Sequence, residues 1–97
     1  MTHIHGTIRV KRETAISAVT FKITFEPYDL EEIRLCVRTL SSEEALRVFL
    51  DDELKVASET SAYLFSELFA QNHSEVFDVE LETADLIRLG LAMPISD

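Results

Sequence analysis

SSEEALRVFLDDELKVASETSAYLFSELFAQN, from Ser41 to Asn72, is the stretch whose reading decides the fold. Leu46, Phe49, Leu50, Leu54, Ala57, Ser61, Leu64, Phe65, Leu68 and Phe69 recur at steps of three and four, which stacks side chains along one helical face. A face that apolar must be buried. Ser41 can accept the N–H of Glu44 while the Glu44 side chain reaches back to the N–H of Ser41, a capping box that sets the start. Glu43 and Glu44 then sit at the positive end of the helix dipole. Between Ala57 and Ser61 small and hydroxylated residues compete with the helical backbone for hydrogen bonds, so the stretch reads as one helix or as two meeting near Ala57 to Thr60. Asn72 and His73 close it, since Asn accepts the left-handed conformation common at helix ends.

The helical face needs a partner, and the flanking sequence offers strands. Ile4, Ile8 and Val10 alternate with His3, His5, Thr7, Arg9 and Lys11, the pattern of a half-buried strand over Thr2 to Lys11. Gly6 falls on its apolar side as a candidate bulge, and Arg12 to Ala15 reads as a turn. Ser17 to Glu26 is the clearest strand, with Val19, Phe21, Ile23 and Phe25 inward, and Pro27 ends it. Leu30 to Leu40 fits both periods: its β-branched residues favour a third strand, while Asp29 and Glu32 could open a helix. Glu75 to Glu82 alternates Val76, Asp78, Glu80 and Glu82 against Phe77, Val79 and Leu81, a fourth strand. Thr83 can cap a short helix through Arg88 or Leu89, with Gly90 as its stop, Pro94 beyond it and a frayed tail from Ile95. The expected architecture is a single α+β domain over residues 1–97, an antiparallel sheet of three or four strands with two or three helices packed on one face. Phe21, Phe25, Phe49, Phe65 and Phe69 are its expected core.

Composition agrees with a folded chain. With 46% hydrophobic residues, two glycines and two prolines, the 97 residues can bury one core and do not resemble a disordered segment. No apolar run has the length of a membrane helix, and Met1 to His5 lacks the charge and apolar run of a signal peptide. The lone Cys36 fits a reducing compartment, so a cytoplasmic location is expected. The net charge of −9 is unevenly spread. Residues 1–40 carry six basic and five acidic side chains, whereas residues 41–97 carry thirteen acidic against Arg47, Lys55 and Arg88.

Chemistry-bearing motifs are few. His3 and His5 leave the same strand face and could share a metal ion if a third ligand such as His73 approached, but two ligands do not make a site, and exposed histidines are the plainer reading. Cys36 between Arg34 and Arg38 could have a lowered thiol pKa, although a partly buried inert thiol is the commoner case. Paired carboxylates at Glu31-Glu32, Glu43-Glu44 and Asp51-Asp52-Glu53 would need burial to act as acid and base. Two glycines cannot build a phosphate loop. Arg9, Lys11, Lys22, Arg34 and Arg38 could collect on the outer sheet face, yet the inward aromatics and the net charge argue against direct nucleic-acid binding.

The expected function is therefore a non-catalytic protein-binding module without cofactor or metal. Its partner surface is assigned to Glu43, Glu44, Asp51, Asp52, Glu53 and Glu59, joined by Glu67, Asp78, Glu80 and Glu82, an acidic decoy or inhibitor of a basic nucleic-acid-handling protein, as small phage antagonists are. One alternative is a self-associating adaptor or homodimer formed by strand-edge pairing. Another is a small enzyme or metal protein using His3, His5 and Cys36.

Overall fold

The computed structural model describes residues 3–29, 33–54 and 74–94. An α+β arrangement is built on a four-stranded antiparallel sheet in the order β4-β2-β1-β5. Its strands are β1 (His3–Thr14), β2 (Val19–Pro27), β4 (Arg38–Leu40) and β5 (Glu75–Glu82). A ribbon of β3 (Arg34–Leu35) and β6 (Ala92–Met93) stands apart from it. The described helices are α1 (Glu43–Val48), which widens without interruption into a π-helical turn over Phe49–Leu54, and α2 (Thr83–Arg88).

Register sorts the side chains. Ile8 pairs with Phe25 and Val10 with Ile23 across β1–β2, while Ile4 pairs with Leu81 and Gly6 with Val79 across β1–β5. Directly opposed residues share a sheet face, so the apolar residues of three strands make one continuous layer. Phe21, Ile23, Phe25, Ile8 and Val10 are buried there against Leu46, Phe49, Leu50 and Leu54 of α1 and its π-turn, with Leu86, Leu89 and Leu91 from α2 and its exit. Fully burying side chains of this size contributes roughly 1.5 to 3 kcal/mol each.

Several boundaries differ from the sequence reading, each for a local reason. β1 runs on to Thr14 because Arg12 to Thr14 pair with Phe21 to Val19, and the turn moves to Ala15–Ala18, closed by Ala15 N–H donating to Ala18 O at 2.8 Å. Gly6 is not a bulge, since the β5 pairing continues through it and it stands in register opposite Pro27 at the end of the β2 pairing. It is a close approach: a Cβ there would stand 2.7 Å from Phe25 Cζ and 2.8 Å from Pro27 Cα. The helix cap is Ser42 rather than Ser41, its Oγ accepting Ala45 N–H at 3.0 Å, and Ala45 at the third position leaves no capping box. The expected helical residues beyond Leu54, Phe65 and Phe69 among them, lie outside the described residues.

The ambiguous segment is neither one strand nor a helix over 33–40. Arg34–Leu35 pairs with β6 and Arg38–Leu40 with β2, and the chain changes sheets at Cys36–Val37. Cys36 N–H donates to Leu91 O at 3.0 Å, which holds the crossing against the end of α2. That helix opens at Glu82, whose N–H donates to Asp85 Oδ2 at 3.4 Å. It closes as expected at Gly90, with φ of 78°. Gly90 N–H donates to Ile87 O at 3.1 Å and Leu91 N–H to Leu86 O at 2.9 Å, a Schellman motif.

Candidate functional site

The capped start of α1 places Glu43 and Glu44 in its exposed first turn, and the π-turn carries Asp51, half-buried, and Asp52, exposed. Among the described residues no cation pairs with any of these four. Glu53 behaves differently. It and Phe49, four residues apart on one side of the turn, both face Arg38: Nη1 of Arg38 lies 2.5 Å from Glu53 Oε2, and the guanidinium carbon sits 5.0 Å from the Phe49 ring centroid. Glu59 lies outside the described residues.

The sheet's other face is exposed, and its cations are drawn into ion pairs. Arg9 pairs with Glu26 at 3.3 Å, Lys22 and Lys11 share Glu13 at 3.2 and 3.7 Å, and His3 meets Glu82 at 3.6 Å. Within the sheet Arg9, Lys11 and Lys22, the outer-face cations of the expected basic stripe, are thus each paired. Arg38 does not belong to it, because its register opposite Ile23 turns it to the inner face, and Arg34 belongs to the separate ribbon. The acidic residues also divide. Asp78, Glu80 and Glu82 lie on the outer face of β5, whereas α1 packs on the inner face beside β4, so these two groups do not form the single surface that the sequence suggested.

One polar cluster was missed by the sequence reading. Asp78 Oδ2 accepts from His5 Nε2 at 2.7 Å and its Oδ1 accepts the Tyr28 hydroxyl at 2.5 Å. The His5 and Tyr28 rings meet edge to face at 5.0 Å, and Tyr28 N–H donates to His5 O at 2.9 Å. The hydrogen bond to Asp78, more than the charges of Asp78, Glu80 and Asp29, raises the His5 pKa. Asp78 is lowered by the Tyr28 hydroxyl first and His5 second, and Tyr28 is raised by the same carboxylate. Tyr28 follows Pro27 in a bend, fifty residues from Asp78 in sequence, and carries no local signal of this role.

This cluster clasps three backbone segments on an exposed surface. His3 and His5 share a face, as the alternation requires, but each engages its own carboxylate. Among the described residues no group of three or more His, Cys, Asp or Glu side chains is placed to hold a metal ion. Cys36 is half-buried with Sγ 3.5 Å from Gly90 O, and Arg38, which could have polarised it, is committed to Glu53 and to Leu89 O. No described helix is long and apolar enough to cross a membrane. No family model, curated protein or solved structure matches the chain.

Proposed function

We propose that the chain is a non-catalytic protein-binding module whose acidic α1 surface takes a basic, nucleic-acid-handling protein as a decoy or inhibitor. What supports this reading is the contrast between two surfaces. The cations of the open sheet face are spent on internal pairs, while Glu43, Glu44, Asp51 and Asp52 carry negative charge without a cationic partner among the described residues. Uncompensated charge concentrated on one element steers an oppositely charged partner and speeds its encounter. Glu53 contributes less to that surface, being paired inward. On the β3–β6 ribbon the exposed Leu35 and Met93 leave opposite faces, so that ribbon offers a self-associating adaptor no shared apolar face.

The test is affinity capture from a nuclease-treated lysate, comparing the wild-type chain with a Glu43→Lys, Glu44→Lys, Asp51→Lys, Asp52→Lys variant at low and high salt. A basic nucleic-acid-binding protein held by the wild type at low salt, released at high salt and absent from the variant is the expected result. Recovery of the bait alone, or equal recovery by the variant, overturns the reading.

A further inference from the structure

Among the described residues the last strand of the sheet has no neighbour beyond it along the segment that carries its carboxylates. β5 pairs with β1, with Thr7, Gly6, His5 and Ile4 opposite Asp78, Val79, Glu80 and Leu81 in unbroken register. Among the described residues no backbone bond reaches 78–81 from the other side. Every second residue there aims an N–H and a C=O outward, a template for another strand. Segment 78–81 contains no proline, lysine or bulge, and the charges that guard it, Asp78 and Glu80, are both acidic, so they repel an acidic strand and admit a basic one.

We propose that this edge accepts an extended segment of a protein partner in which basic and apolar residues alternate, adding a fifth strand beside β5. The occupant follows from the two faces of the strand. On the outer face Asp78 is committed to His5 and Tyr28, and Glu82 to His3, whereas Glu80 has no ion-pair partner among the described residues and is free to meet a lysine or arginine directly across. On the inner face Val79 and Leu81 are 4% and 1% exposed, so apolar residues of the incoming strand would continue their layer. A second copy of β5 fits poorly, because antiparallel self-pairing sets Asp78, Glu80 and Glu82 against one another. The inference does not rest on the acidic α1 surface, which lies on the inner face near the opposite edge of the sheet.

The test titrates the isotopically labelled chain, followed by amide resonances and hydrogen exchange, with three synthetic probes. They are a short peptide alternating lysine and valine, the same composition arranged in blocks, and the alternating peptide N-methylated on either set of alternate residues. The alternating peptide should shift and protect amides within 78–81. N-methylation of only one of the two sets should weaken it at least about tenfold, the loss expected for removing two main-chain hydrogen bonds. Glu80→Lys should weaken it too, and should favour a peptide alternating glutamate and valine. Equal binding by alternating and blocked peptides, perturbations centred on residues 43–52, indifference to both methylation patterns, or no binding at millimolar peptide would each overturn the proposal. A failed lysate capture with a successful peptide titration removes only the acidic-decoy reading.

Discussion

Arg38 on β4 reaches Glu53 in the π-turn at 2.5 Å, with the two side chains only 28% and 34% exposed. The same Nη1 donates to Leu89 O at 2.9 Å, so one guanidinium ties a strand, the wide turn after α1 and the end of α2. Glu53, one of the acids that the sequence assigns to the partner surface, is thus also part of the contact that joins these elements.

Removing either member leaves a partly enclosed charge without its partner. Glu53→Ala and Arg38→Ala should each cost about 1 to 3 kcal/mol, more than an exposed pair contributes. A double-mutant cycle read from urea midpoints should show coupling. By contrast, Asp52→Lys should leave the midpoint nearly unchanged. Independent effects of the two substitutions would show that the contact does not hold the elements together.

Gly90 combines a positive φ of 78° with the approach of Arg38, whose Cδ would lie 3.2 Å from an added Cβ. Gly90→Ala should lose about 1 to 2 kcal/mol from the left-handed conformation alone. Gly90→Asn separates the two causes, since Asn tolerates that backbone but still carries a Cβ. Thermal melts in which Asn matches Gly would assign the cost to the backbone, and an Asn loss equal to that of Ala would assign it to crowding against Arg38.

Gly6→Ala should reverse the usual sign of such a change. In an ordinary strand interior the substitution gains about 0.5 to 1 kcal/mol. Here the methyl group would press on the Phe25 ring and the Pro27 backbone, and overpacking should cost about 1 to 3 kcal/mol. A raised denaturant midpoint would contradict the tight packing of β1 on β2.

The clasp at Asp78 should leave a signature in pH. His5 is raised above 6.5, so its contribution is complete below that value and is lost as pH rises through the folded-state pKa. Asp78 is lowered from 3.8, so its contribution is present above that value and is lost as pH falls through the folded-state pKa. The Tm gap between wild type and Asp78→Asn should therefore be widest between about pH 4 and 6.5 and narrow on either side. Added salt should shrink the gap, because the groups are exposed. A gap that is constant across the range would show that the charges are not coupled to folding.

Local sequence determined that β1, β2 and β5 are strands and which of their described residues face the core, whereas β6 at Ala92–Met93 carried no strand signal. Alternation in β1, β2 and β5 and helical spacing at Leu46, Phe49, Leu50 and Leu54 are properties of consecutive residues, and the burial follows them. The glycine stop at Gly90 was legible for the same reason, since the constraint acts within one turn. Tertiary structure alone decided the rest. Residues 33–40 satisfied both periods, and only competing partners, β6 for Leu35 and β2 for Thr39, split them between two sheets. Arg38 read as an outer-face cation until its register opposite Ile23 turned it inward. The clasp of Tyr28, His5 and Asp78, and the separation of the β5 carboxylates from those of α1, depend on how strands distant in sequence are ordered in the sheet. Pairing fixes that order through contacts between residues that no local pattern connects.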